Sequence, residues 1–235
     1  MKKLLKALLC GCLLAGCASA PKETAASASA AAETPVRAMW FSWVEYRDLM
    51  QGLSAQQFEE KMGQIVQDMA SVGTNEIYLH ASAFTDAFYD SRIYPRSTWA
   101  ADTSYDPLAL FLKAAHAAGM KVDAWVNPMR SYTLEEASSQ ASGLIQQWIQ
   151  VNSEKIRPVD GRYYLNPAYA DVRELIVSIP LEIVRSYDVD GIILDDYFYP
   201  DKTAYNFDSY AWFQKNTEQE ISQEDFRREN VNTLV

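Results

Sequence analysis

Positive charge is in short supply: 21 Lys and Arg stand against 31 Asp and Glu in 235 residues, a formal net charge of −10. Binding a phosphate backbone needs a basic face, so this deficit argues against nucleic acid and other polyanions as partners. Histidine is scarcer still. With only His80 and His116, and no His-x-His or HExxH spacing, a zinc-dependent hydrolase is disfavoured, although Asp195 and Asp196 leave a hard-cation site open. The three cysteines, Cys10, Cys12 and Cys17, all lie near the N-terminus, so the rest of the chain has neither a disulfide framework nor a cysteine metal site. Gly-rich phosphate loops and a Ser nucleophile elbow are missing too, which leaves little room for nucleotide or acyl-transfer chemistry. No cofactor is expected. What the chain has is 14 Tyr, 9 Phe and 6 Trp within a composition 49% hydrophobic and 22% charged, enough to bury a core. An acidic, aromatic surface suits a neutral ligand such as a sugar, although ordinary globular domains share that composition.

The N-terminus reads as a targeting segment. Lys2, Lys3 and Lys6 introduce an apolar run from Leu4 to Ala15 that is too short to span a bilayer as a mature helix. It ends in Leu14-Ala15-Gly16-Cys17, which resembles the bacterial lipobox, so residues 1–16 are expected to be removed and Cys17 to carry lipid. The expected location is outside the cytoplasm, anchored to a bacterial membrane. Residues 17–35 are rich in Ala and Ser, lack large apolar side chains, and read as a flexible tether. The folded domain is expected over 36–235.

There the pattern alternates strand and helix. Strands are expected at Arg37–Trp43, Glu76–Ala81, Lys121–Pro128 and Gly191–Asp196, with helices over Ser54–Val72, Pro107–Ala118, Ala168–Tyr187 (kinked at Pro180) and from Gln223 onward. Such nearly continuous apolar strands separated by helices read as a parallel sheet buried on both faces, hence α/β. Repeated βα units close most naturally into an eight-stranded TIM barrel, of about 250 residues. With four strands visible, the expectation is the first four βα units of a truncated (β/α)8 barrel; a self-contained four-stranded α/β domain is the alternative. The connections after the helices are tight, whereas those after the strands are long, polar and aromatic. Elaboration therefore sits at the C-terminal ends of the strands, where parallel folds place their sites.

Several strings carry a resemblance. Asp86-Ala87-Phe88-Tyr89 with Tyr94-Pro95, Ala124-Trp125-Val126-Asn127-Pro128, Tyr164-Leu165-Asn166-Pro167 before Val172-Arg173, and Asp195-Asp196-Tyr197-Phe198-Tyr199-Pro200 occur in that order. Together they resemble the bacterial glycoside hydrolase family 10-like proteins. The resemblance implies a secreted or lipid-anchored barrel that cleaves glycans, including the sugar strands of peptidoglycan. It also implies that a second catalytic carboxylate comes from a later strand, beyond Val235, so this chain alone is expected to be inactive. Two positions depart from the family: Ser82 stands where an Arg is typical, and Asp123 where a His is common.

Adjacent strand residues point to opposite faces, so Asp195 and Asp196 cannot both enter one mouth; Asp195 is favoured as general acid or base, with Asp196 second. Both are alternatively helix caps or ion-pair partners. Trp43, Tyr197 and Tyr199 are candidate sugar platforms, and Trp125 is divided evenly between platform and core. Asn127 and Arg130 are candidate donors to hydroxyls, Asn127 alternatively shaping a turn before Pro128. His80 is a candidate hydroxyl ligand or partner to an acid, and Asp86 a ligand or an Asx turn. His116, in the last turn of its helix, needs no functional role. The non-enzymatic alternative is a surface glycan-binding lipoprotein with the same aromatic mouth.

Overall fold

The computed structural model describes residues 35–100, 104–197, 199–200 and 208–235. The signal segment, Cys17 and the tether up to residue 34 lie outside the described residues, as does Phe198 of the Asp-Asp-Tyr-Phe-Tyr-Pro string. Val36–Val235 form one compact unit.

Four strands, β1 (Ala38–Phe41), β2 (Glu76–Ser82), β3 (Lys121–Val126) and β7 (Gly191–Leu194), make a parallel sheet in the order β1-β2-β3-β7. The helices between them are α2 (Ala55–Ser71), α3 (Pro107–Ala117) and α6 (Ala170–Ser186). Local chemistry sets their limits. Ser54 caps α2, its hydroxyl accepting from Gln57 N–H while the Gln57 side chain accepts from Ser54 N–H. Asp106 caps α3 ahead of Pro107, and Gly119, at φ 74°, turns the chain straight into β3. Helix α6 starts two residues later than its apolar pattern suggests, because Asn166-Pro167 forms a turn in which Asn166 Oδ1 accepts from Ala168 N–H. It runs through Pro180 as one helix.

Register separates the two faces. On one, Phe41, Ile77, Leu79, Val122 and Ala124 are fully buried and share a core with Phe58 and Met62 of α2, Phe111 of α3, and Ile176 and Ile183 of α6. Each large side chain so buried stabilises by about 1.5–3 kcal/mol. On the other, the paired positions Trp40, Tyr78, Asp123 and Gly191, then His80, Trp125 and Ile193, form an aromatic face. Trp40 meets Tyr78 and Trp125 edge-on at 4.8 and 4.6 Å and remains 50% exposed. Gly191 belongs here for steric reasons, since a Cβ would stand 2.6 Å from Asp123 Oδ1.

The α/β class and the four parallel strands are as the pattern indicates, but burial on both faces is not. Among the described residues the sheet is open, not a closed barrel: β1 and β7 are edges with one neighbour each, and all of β7 is only half-buried. The first strand also stops at Phe41, because Ser42 caps α1 (Trp43–Glu45), which runs on into a π-helical turn over Tyr46–Met50.

A second sheet lies between β3 and α6. Strands β4 (Arg130–Thr133), β5 (Ile156–Val159) and β6 (Arg162–Leu165) pair antiparallel in the order β4-β6-β5, with α4 (Leu134–Gln140) and α5 (Gly143–Gln150) intervening. The periodic pattern does not reveal it, because its strands have four residues each and two are rich in Arg and Tyr. Its turn signals are legible: Asp160-Gly161, at φ 49° and 81°, closes the β5–β6 hairpin, and Thr133 with Glu136 forms the capping box of α4. After β7, α7 (Tyr210–Asn216) and α8 (Gln223–Leu234) complete the unit.

Candidate active site

The C-terminal ends of the four parallel strands bring together Trp43, His80, Asn127, Arg130, Asp195 and Asp196. Asp195 N–H donates to Val126 O at 3.1 Å, continuing the β3–β7 ladder by one residue. Asp195 Oδ1 then accepts from Asp196 N–H at 2.8 Å, and Asp196 is turned into the left-handed region at φ 53°. That turn sends the two carboxylates apart. Asp196 meets Arg130 Nη1 at 2.7 Å, while Asp195 Oδ2 accepts no hydrogen bond among the described residues. A non-glycine residue held at positive φ costs of order 1 kcal/mol and is typical of sites where geometry matters more than stability.

The other carboxylates at this end are spent on backbone. Glu45 accepts from Ser42 N–H at 2.7 Å, Glu136 from Thr133 N–H at 2.8 Å, and Asp86 Oδ1 from Ala83 N–H and Phe84 N–H at 3.1 and 2.8 Å. Asp86 is buried; burial raises its pKa above the carboxylate range, against the hydrogen bonds it receives. Asp86 is neither exposed as a ligand nor in an Asx turn, since the amides it accepts precede it in the chain. It fixes the loop in which Thr85, at φ 56°, meets Ser131 Oγ at 2.7 Å.

His80 is 1% exposed, with its ring stacked on Trp125 at 3.5 Å. Trp43 N–H donates to His80 Nδ1 at 3.2 Å, which makes Nδ1 the acceptor and leaves the ring proton on Nε2. Burial pushes its pKa down to about 3; the Asn127 amide opposes this and the charge of Arg130 adds to it. A side chain so buried is no surface ligand for a hydroxyl. It is a neutral strut that ties the start of α1, and with it Trp43, to β2. Its Nε2, with Ser82 Oγ, Trp125 Nε1 and Asn127 Oδ1, has no hydrogen-bond partner among the described residues, so four buried polar atoms gather beneath the strand ends.

Above them the surface is aromatic and cationic. Trp43 stacks on Trp99 at 4.9 Å, Phe84 meets Trp43 edge-on at 5.4 Å, and the Arg162 and Arg130 guanidiniums lie over Phe84 at 4.3 and 5.7 Å. An aromatic cluster after β1 and β2 and a carboxylate at the end of β7, with Arg130 reaching both Phe84 and Asp196, are groups that can hold a sugar ring and move a proton at its glycosidic oxygen.

Residues 35–235 match the model of a family described as Glycosyl hydrolase-like 10. The chain belongs to this family. It is 28% identical over 218 residues to Glycosyl hydrolase YngK of Bacillus subtilis, covering 88% of this chain and 42% of that protein. It is 27% identical over 252 residues to Glycosyl hydrolase DigH of Escherichia coli, covering 95% and 57%. It therefore spans about half the length of these curated relatives. Among solved structures, alpha-L-fucosidase isoenzyme 2 from Paenibacillus thiaminolyticus superposes with a TM-score of 0.54 at 18% identity, over 86% of this chain and 29% of that one. The α/β architecture is thus one that a glycosidase shares.

Within this Glycosyl hydrolase-like 10 chain the remaining candidates divide. Tyr197 follows Asp196 and is 42% exposed. Tyr199 is held under α8, its hydroxyl accepting from Asn230 Nδ2 at 3.4 Å and its ring 5.2 Å from the Arg227 guanidinium, so it packs a helix in this structure. Asn127 donates from its backbone to Ser82 O and from its amide to Ala83 O, which binds the ends of β2 and β3 together. Trp125 supports His80 on the aromatic face. His116 lies at the opposite end of the sheet, where Nε2 meets Asp190 Oδ2 at 3.0 Å. Phe84, Trp99 and Arg162 were not legible as site residues. Phe84 and Trp99 sit in a long loop without periodicity, and Arg162 belongs to the second sheet.

Proposed function

We propose that this chain binds a cell-envelope glycan, such as the sugar strands of peptidoglycan, across the C-terminal ends of its parallel sheet, and supplies Asp195 as the acid/base carboxylate of a glycoside hydrolase. The observation that carries this reading is the divergence of Asp195 and Asp196. One is committed to Arg130, while the other keeps an oxygen without a hydrogen-bond partner among the described residues. Membership of a glycosyl hydrolase-like family supports a glycan as the substrate. The lipobox-like Leu14-Ala15-Gly16-Cys17 supports a lipid anchor on Cys17 and a place on a bacterial membrane facing away from the cytoplasm.

Glycoside hydrolysis by the usual route takes two carboxyl groups flanking the bond, about 5–5.5 Å apart for retention or about 6.5–9.5 Å for inversion. Asp196 is in an ion pair, and Glu45, Glu136 and Asp86 hold backbone amides, so this mouth offers Asp195 without a second uncommitted carboxylate among the described residues. That favours a second reading, in which the chain by itself holds a glycan strand without cutting it. Incubating the purified chain with isolated glycan strands separates the two. Strand retention without new reducing ends supports the binding reading. Product formed by wild type and lost in Asp195→Asn supports hydrolysis. Failure to retain strands at all rejects both.

A further inference from the structure

The second sheet brings two arginines to one place. Arg130 opens β4 and Arg162 opens β6, at opposite ends of the antiparallel pairing, where Arg130 faces Tyr164 and Thr133 faces Arg162; both guanidiniums nevertheless reach the single ring of Phe84, at 5.7 and 4.3 Å. Like charges this close repel. Burial, and with it the charge of Arg130, presses Arg162 below the usual guanidinium range, against the opposing pull of Glu136. In a chain with ten more acidic than basic residues, a juxtaposed cationic pair at the mouth of the candidate site is not the background charge of the surface.

Their present partners do not use them up. A guanidinium has five N–H donors. Among the described residues Arg130 donates one to Asp196, and Arg162 donates one to the Ser131 carbonyl. Glu136 stands 4.0 Å from Arg162, beyond hydrogen-bond reach, and is held by the Thr133 amide. Both arginines reach solvent, with side chains 36% and 20% exposed. Both guanidiniums rest over Phe84, whose backbone N–H is held by Asp86 Oδ1 in a buried loop.

We propose that Arg130 and Arg162 form a receptor for a carboxylate carried by the glycan, with Arg162 as the specificity-determining member. This rests on the glycan reading of the site and adds to it the chemical class of sugar, an acidic one. The planar, two-oxygen carboxylate matches the donors that each guanidinium leaves unused beside its acidic neighbour, Asp196 for Arg130 and Glu136 for Arg162. Phe84 links the receptor to the Trp43–Trp99 stack on one side, and Arg130 links it through Asp196 to Asp195 on the other.

The test compares peptide-free peptidoglycan glycan strands, in which alternate sugars carry a carboxylate, with the same strands after reduction of the carboxylates to alcohols. Binding to the chain is followed by tryptophan fluorescence at low ionic strength. The carboxylated strands are expected to bind about tenfold more tightly, the scale of one or two charge-assisted hydrogen bonds. In Arg162→Gln that ratio falls to about one, and in Arg162→Lys, which keeps the charge without the fork, it falls in between. Acetate competes with carboxylated strands on the wild-type chain more strongly than chloride at equal ionic strength, a readout that needs no variant. Equal affinity of wild type for the two strands overturns the receptor and leaves the glycan reading standing. An unchanged ratio in a folded Arg162→Gln does the same. Binding of neither strand overturns both.

Discussion

Replacing His80 by Phe isolates the effect of a buried imidazole that cannot be charged. The folded-state pKa is about 3, against an ordinary 6.5, so at moderate acidity protons bind the unfolded chain first. The stability that His80 confers by staying neutral is complete above about pH 6.5 and is lost as pH falls toward 3. From the difference between these two values, wild type should lose about 2 kcal/mol between pH 7 and pH 5 through this group alone. Phe keeps an aromatic ring against Trp125 and removes the titration. It also removes the Nδ1 acceptor, leaving Trp43 N–H unpaired at a cost of about 1–3 kcal/mol. At pH 7 the variant should therefore be less stable, and by pH 5 the gap should shrink by about 2 kcal/mol or reverse. With a urea dependence of about 2 kcal/mol per M, the two unfolding midpoints should converge by about 1 M between those pH values. Every other titratable group is common to both proteins and cancels in the comparison. If the two pH profiles run parallel, His80 is not held neutral by burial, and its role as a strut between β2 and α1 must be abandoned.

Asp123 presents the opposite sign. Its pKa is raised above 3.8, first by burial and then by repulsion from Glu76 and Asp190, so the folded chain takes up its proton before the unfolded one does. The native state therefore loses stability as pH rises from about 3.8 through the raised value. Asp123→Asn should raise the melting temperature at pH 7, with the gain vanishing on acidification below that window; a variant no more stable than wild type at pH 7 counts against this account. Asp208, fully buried, accepts from Arg227 and Gln223 of α8 and caps the amide of Tyr210. Asp208→Ala leaves a largely buried guanidinium without this partner and should cost about 3 kcal/mol in denaturant unfolding, with faster proteolysis across α8. A loss under 1 kcal/mol would show that α8 is held by its apolar contacts alone.

His80 and Asp123 show that strand alternation sets the face of a polar group without setting its burial. Both fall on the same aromatic face by strand alternation, and that much follows from sequence. Whether a polar group on that face is buried or open depends on what stands over it, which no local pattern records. His80 is covered by Trp125 and the start of α1, while Asp123 lies in the middle of the sheet beside Gly191. Asp86 and Tyr199 illustrate the same point: both are residues that suit a sugar, yet one is held by the amides of its own loop and the other by a helix 30 residues away. Arg162 reaches the ring of Phe84 from β6, far along the chain, a contact that no local pattern records.

The amino-acid sequence by itself determined the four parallel strands, the helix starts at Ser54 and at Pro107, the side of the sheet that carries the long loops, and the placement of Asp195, Asp196, Trp43 and Arg130 on that side. These depend on the two-residue period of a strand, on the 3.6-residue period of a helix and on capping chemistry, all of which act between residues near in the chain. Only the tertiary structure decided that Asp196 pairs with Arg130, that His80 is a neutral strut, and that Arg162 joins Arg130 over Phe84. Each of these depends on which groups share a buried space or an ion pair, and burial is a property of the packed chain as a whole.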